Sequence, residues 1–319
     1  MSAFSYWGVD VGKDYLDLAH TQGFCQRYTN DDEGIESIKQ FLAGVEDLQL
    51  VVLEPSGGYE ILAMSALLAA SLPVARVNPQ RVRQYAYALG IKAKTDALDA
   101  QVLAQFGQGV KPAVCLLPSD AQLELQFLVK RRADFIDMRK KEKQRVKQPH
   151  TRQEHPSFEE ALSFARAQIR SLTKEIMHLL QNTPELQTKF ELLTSCPGIG
   201  KGAAFVLMAQ LPELGKIGPK QIAALVGVAP FDQQSGGSRN KSRIRGGRRE
   251  VRQVLSTATW AATALHNKEI KIFYERLTQK KGKTHRQALT ACSRKLLVWL
   301  GAMLKSGQKY DPTIYPSYS

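Results

Sequence analysis

The chain has 319 residues, 43% of them hydrophobic, enough for two domains or one large one with real cores. Lys and Arg outnumber Asp and Glu by 44 to 30, a formal charge of +14 that favours polyanionic partners such as DNA, RNA or an anionic membrane surface. No apolar run approaches the ~20 residues of a spanning helix, and no basic-then-apolar leader is visible, so the expectation is a cytoplasmic protein with no membrane segment. Four cysteines (Cys25, Cys115, Cys196, Cys292) lie far apart without a CxxC pair, and six histidines show no HExxH spacing. They read as reduced thiols and not as a zinc site or disulfide frame. The chemistry must rest on carboxylates, hydroxyls or basic groups.

In chain order, residues 6 to about 110 alternate strand and helix signals. "YWGVDVG" is a short apolar strand, "YLDLAHT" alternates apolar and polar residues, and "CQRYTN" completes a meander. "DDEGIESIKQFLAGV" has helical period and an acidic start. "LQLVVLEPSGG" is a buried strand ending in a Gly turn, and the helix "YEILAMSALLAA" follows it. "PVARVNP" is a further strand, with two helices after it. A meander followed by alternation predicts a mixed α/β sheet.

The next segment differs in composition. "QLELQFLVKRRADFIDMRKKEKQRVKQ" is a long basic helix that stops near Pro149. Beyond "PHTRQEHP", the positions Phe158, Leu162, Ala165, Ile169, Leu172, Ile176 and Leu179 recur at alternating steps of four and three. That heptad-like stripe predicts a coiled coil or a helical hairpin, either as an oligomerising arm or as a helix packed on its neighbour. The expected division is 1–112, a helical or coiled-coil region over 113–189, and a mostly α-helical unit over 190–319.

Four acids stand out in the first region. Asp10 lies inside the apolar strand "WGVDVG" and Glu54 ends "LVVLE", where a charge is costly unless it meets a cation. Asp96 and Asp99 in "KTDALDA" are spaced to share one helix face, with Thr95 as a candidate N-cap. Together these acids could ring one or two magnesium ions. Taken singly, each could instead accept backbone hydrogen bonds or sit on a solvated face.

Two features mark the last region. "PGIGK" fails as a phosphate loop, because Ser195 and Gly202 stand where Gly and Ser or Thr are needed. It fits a helix–hairpin–helix turn, whose backbone N–H groups and Lys201 could approach a DNA phosphate. In "LVGVAPFDQQSGGSRNKSRIRGGRREVR", residues 225–252, Ser235 precedes Arg239, Lys241, Arg243, Arg245, Arg248, Arg249 and Arg252, with no acid between Asp232 and Glu250. A serine in a Gly turn is usually a turn residue. A serine attacking a phosphodiester, however, needs the phosphate charge neutralised, which such a run supplies. No His is near in sequence, so a metal ion would have to help activate the hydroxyl.

The succession "GVDVGK", "LEPSGGYE", "NPQRVRQYAYALGIKAKTDALDA", "CPGIG" and the serine-bearing basic loop, whose P-x-x-x-x-S-G element is specific, resembles the DEDD-type insertion-sequence transposases of the IS one-ten family, relatives of the Piv DNA invertase. The likeness runs over nearly the whole chain. It implies an RNase H-like, RuvC-like α/β domain joined to a helical coiled-coil region and a transposase domain that supplies a serine. On that resemblance the acidic tetrad falls on Asp10, Glu54, Asp96 and Asp99 and holds magnesium, with manganese as substitute, and the nucleophile is Ser235. The family's members recombine DNA, and in those studied a structured non-coding bridge RNA pairs with donor and target DNA. They act as homo-oligomers, so a dimer to tetramer is expected here, the serine of one subunit completing another's acidic site. The expected setting is the nucleoid of a bacterium or archaeon. Two alternatives stay open: a resolvase-type nuclease using metal-activated water, and a non-catalytic nucleic-acid scaffold.

Overall fold

The strand β1 (Ser5–Val11) is apolar at nearly every position because both of its faces are covered. β2 (Tyr15–His20) and β3 (Cys25–Thr29) complete an antiparallel meander with it. Helix α1 (Asp32–Ala43) starts where Asp31 accepts the Gly34 N–H, and Asp32 and Glu33 complement its first turn. β4 (Leu48–Leu53), α2 (Glu60–Ala69) and β5 (Val74–Arg76) follow, with β4 parallel to both β1 and β5. Helices α3 (Pro79–Ala88) and α4 (Asp96–Val110) close the unit. The result is a mixed five-stranded sheet in the order β3-β2-β1-β4-β5. This is a computed structural model; it describes residues 4–91, 96–115, 118–148, 155–231, 234–235, 238–239, 243–244 and 246–315.

Period-two alternation sorts the two faces of the sheet. Trp7, Val9, Val11, Val51 and Leu53 share a core with Ile35 and Ile38 of α1 and Met64 and Leu67 of α2. Tyr6, Leu50 and Val52 point the other way, to Val102, Leu103 and Phe106 of α4. The approach of α4 to β1 is a backbone contact: a Cβ on Gly8 would overlap the Ala100 carbonyl oxygen and lie 2.7 Å from Leu103 Cβ. At the far edge of the sheet, Cys115 donates its N–H to Val74 O at 2.7 Å and its Sγ accepts the Arg76 N–H at 3.3 Å.

The second compact unit spans Asp120–Ser319 and is mostly helical. Helices α5 (Asp120–Val146) and α6 (Pro156–Gln181) form an antiparallel hairpin, since Arg132 meets Thr173 while the later Phe135 meets the earlier Phe164. The stripe predicted as a coiled-coil seam is therefore covered inside the chain. Its buried members are Leu162, Ala165, Ile169, Leu172, Ile176 and Leu180, with Leu179 and Phe158 only half-buried. The final step is four and not three because a straight helix turns once per 3.6 residues, and a 3.5-residue repeat drifts off the face. α7 (Pro184–Ser195) and α8 (Lys201–Gln210) flank the "CPGIG" turn, where Gly198 packs on Ala262 and Gly200 faces open space. α9 (Pro219–Val226) ends at left-handed Gly227. Four two-residue strands come next, β6 (Pro230–Phe231), β7 (Gln234–Ser235), β8 (Ser238–Arg239) and β9 (Arg243–Ile244). α10 (Arg249–Ala261), α11 (Lys268–Glu275) and α12 (His285–Ser306) complete the unit, each of the first two running on into a π-helical turn. One continuous core joins Leu128 of α5, Ile176 of α6, Phe190 of α7, Phe205 of α8, Leu255 of α10 and Leu296 of α12. No described helix is long and apolar enough to cross a membrane.

Candidate active site

In unit 1 strand register brings two of the predicted acids level. Gly8 pairs with Val52 and Val9 with Leu53, so Asp10 and Glu54 come level at the carboxyl ends of two adjacent parallel strands. Alternation puts Asp10 on the face of Tyr6 and Gly8, and Glu54 on that of Leu50 and Val52; α4 covers that face. α4 begins at Asp96, and Asp99 precedes the Ala100 carbonyl that rests on Gly8. Asp10, Glu54 and Asp99 are all half-buried, while the Asp96 side chain and the candidate cap Thr95 lie outside the described residues.

A further acid, not singled out from sequence, stands in the same row. Asp17 of β2 is the direct antiparallel partner of Asp10 and is buried. Arg27 of β3 pairs with Asp17 in the next ladder and donates two hydrogen bonds to its carboxylate, at 2.9 and 2.8 Å. That fork compensates a carboxylate that would otherwise repel Asp10 at close range. The signal was present in "YLDLAHT", where Asp17 interrupts buried positions. It became visible only once the register put an arginine across from it.

The turn after Glu54 is held from below. Glu60 is 2% exposed, and its Oε2 accepts the N–H groups of Ser56 at 3.1 Å and Gly58 at 2.9 Å, with Arg76 3.7 Å from Oε1. Burial works against the Glu60 charge, yet the backbone donors of Glu60, Ser56 and Gly58 together with Arg76 hold the carboxyl below its ordinary range. Asn30 ties this turn to the one after β1, its Nδ2 donating to Gly12 O at 2.9 Å and Tyr59 O at 3.4 Å. The backbone around Asp10 and Glu54 is thus cross-linked by side chains from neither strand.

The serine belongs to unit 2. Ser235 lies in β7, paired with Ser238 of β8, and β6 and β9 pair Pro230 with Ile244 and Phe231 with Arg243. Ser235 thus lies in a two-residue antiparallel ladder, where the sequence suggested a turn, and of the basic run Arg239 and Arg243 are the members on described strands. Lys241 and Arg245 lie outside the described residues. Arg249 is exposed in the first turn of α10, and Lys201 is exposed at the start of α8. Arg248 and Arg252 are engaged within the chain: Arg248 forks Glu213 at 2.6 and 2.5 Å, and Arg252 donates to the Gly246 carbonyl.

The donor set in unit 1 is all carboxylate oxygen, the chemistry suited to a hard divalent cation such as magnesium. Among the described residues no group of three or more His, Cys, Asp or Glu is arranged to hold a metal ion. Asp10, Glu54 and Asp99 are described and form no such group by themselves, and the Asp96 side chain lies outside the described residues. The fit thus rests on the oxygen donors and the level of Asp10 with Glu54.

Known proteins resemble this chain in both units. Residues 7–153 match the model of the DEDD-type IS110 transposase domain, described as a transposase. Residues 190–275 match that of the IS116/IS110/IS902 transposase family. Pilin gene-inverting proteins of Moraxella bovis and Moraxella lacunata are each 29% identical to this chain, over 98% of it and 99% of their own length. An uncharacterised 43.6 kDa protein of insertion element IS110 from Streptomyces coelicolor is 31% identical over 49% of this chain and 38% of its own length. The chain, with both domains matched, belongs to the IS110 (IS one-ten) family of transposases.

Proposed function

We propose that the protein is a DNA recombinase that cuts and rejoins DNA through a covalent link to Ser235. Its relatives' names speak for recombination, one of pilin gene inversion and the other of an insertion element. What supports the assignment of the acids most is the level of Asp10 with Glu54 on the face that α4 covers. The strand order and the helix laid across β1 favour an RNase H-like, RuvC-like fold for the first domain, over 1–112.

Asp10, Glu54, Asp96 and Asp99 would hold the metal, magnesium or manganese. When bound, the ion polarises the phosphate and lowers the pKa of the attacking hydroxyl. The remaining work falls to the chain. The Ser235 oxygen attacks phosphorus while the bond from phosphorus to the leaving strand's oxygen breaks. The serine proton passes to a carboxylate of the tetrad, and the leaving oxygen takes up a proton to become a hydroxyl. One phosphoester replaces another without hydrolysis, so the reverse step rejoins DNA with no external energy source. The Arg and Lys residues of the hairpin and Lys201 neutralise phosphate charge. The mechanism requires the serine-bearing and acid-bearing units to meet on DNA, within one chain or between subunits of a dimer or tetramer. A bridge RNA that pairs with donor and target would supply sequence choice; a non-coding segment beside the gene, complementary to the element's junctions, would support it.

The test is a denaturing gel of labelled DNA incubated with wild type, Ser235→Ala, Ser238→Ala and Asp10→Asn. The expected result is a protein–DNA band in wild type and Ser238→Ala, absent in Ser235→Ala, Asp10→Asn and EDTA. An adduct that persists in Ser235→Ala moves the nucleophile elsewhere. Cleavage without adduct in every lane means that water attacks, as in a resolvase.

A further inference from the structure

The neck of the Ser235 hairpin is built from backbone in contact with backbone. A Cβ at Gly227 would overlap the Gly246 carbonyl and the Arg252 guanidinium, and one at Gly247 would lie 2.5 Å from the Val226 carbonyl carbon. Both glycines have positive φ, +79° and +75°, where an L side chain is strained. The Arg248 N–H donates to Leu225 O at 3.0 Å, crossing from one foot of the hairpin to the other. Two arginines brace the crossing. Arg248 forks Glu213 and also donates to Gln210 O at 2.7 Å; Arg252 reaches the Gly246 carbonyl on one foot and Val226 O, at 3.5 Å, on the other.

We infer that Arg248, Arg252 and Glu213 are positioning residues, clasping the two feet of the hairpin so that Ser235 meets DNA in a fixed orientation. The inference rests on the reading of Ser235 as nucleophile. Ladders of two residues are too short to hold a hairpin by themselves, so its aim must be set where it joins the helices. Forked by Glu213, the Arg248 guanidinium is already neutralised and has little left to displace counterions from DNA, while Arg252 directs its donors to the Gly246 and Val226 carbonyls. The basic run thus divides by role, although all seven of its cations look alike in sequence. Phosphate contact falls to the others, and these two hold the frame.

The experiment uses the full-length protein and labelled duplex DNA with Glu213→Gln, Arg248→Gln and the double variant. Each single change is expected to slow adduct formation at saturating DNA by about 10–100-fold. The double variant should be no slower than either single, because the two side chains act as one unit. The slope of log affinity against log salt should match wild type, and amide exchange over 227–247 should rise while overall melting changes little. The reversed pair, Glu213→Arg with Arg248→Glu, should recover part of the rate. The inference is overturned if Arg248→Gln flattens the salt slope by about 0.9 while Glu213→Gln leaves the rate unchanged, since Arg248 is then a phosphate ligand. Failure of the serine reading looks different: the adduct would survive in Ser235→Ala, while exchange in Glu213→Gln would still report on the clasp.

Discussion

Glu60 lies under the turn that follows Glu54, one of the four acids proposed to hold the metal. Its carboxylate organises the turn after Glu54 through the Ser56 and Gly58 amides. Replacing it with Gln keeps the shape and removes the charge, so Glu60→Gln should cost about 1–3 kcal/mol, the range for hydrogen bonds to a buried charged group. The pH dependence has a definite sign. The folded-state pKa is depressed, so the stabilisation is fully present above the unfolded value of about 4.3 and is lost as pH falls through the lower folded value. Urea unfolding of both proteins should give a clear gap at neutral pH that narrows below about pH 4; a constant gap would mean that the charge is not what matters. Asp17 and Arg27 make a similar point. An acid facing Asp10 is tolerated because the next strand carries its counter-ion in register. Neither partner could be recognised from sequence alone, since cross-strand neighbours are distant in the chain.

Among the elements, the period of the pattern decided what was legible. The strands of the meander, the acidic start of α1, and the long helices α5 and α6 follow from alternation and helical spacing, and the structure has all of them. The α6 stripe announced that something covers it, though not whether that is another chain or the preceding helix. Burial against α5 settles this in favour of the chain itself. Ile176 is fully buried there, so Ile176→Asp should destabilise the second unit by several kcal/mol, the order found for an unpaired charge in a core. Thermal melting reads the loss, while the native mass of the protein that remains folded should be unchanged. A lower mass with intact melting would restore the stripe to an interface. The two-residue ladders around Ser235 were invisible, because Gly, Ser, Asn and Arg carry little strand preference. What holds them is the neck, whose partners Glu213 and Gly227 come from earlier in the chain.

For the molecule as a whole, the division between an acid-bearing unit and a serine-bearing unit follows from where the contacts cluster, Met1–Ser119 and Asp120–Ser319. The helical hairpin belongs to the second unit because its apolar side chains share a core with α8 and α12, a long-range fact that composition cannot carry. The level of Asp10 with Glu54 was equally hidden: the sequence named both acids, and only the pairing of β1 with β4 made them neighbours. One small feature of the first unit bears on how the chain can be cut. Cys115 lies along the outer side of β5, taking up Val74 O and the Arg76 N–H. A fragment ending at Val110 would expose those groups as a bare strand edge, a template for pairing with its own copies. A fragment ending at Ser119 carries its own cover. Gel filtration of the two at rising concentration should find self-association in the shorter one, so that nine residues of connecting chain divide a dispersed domain from a sticky one.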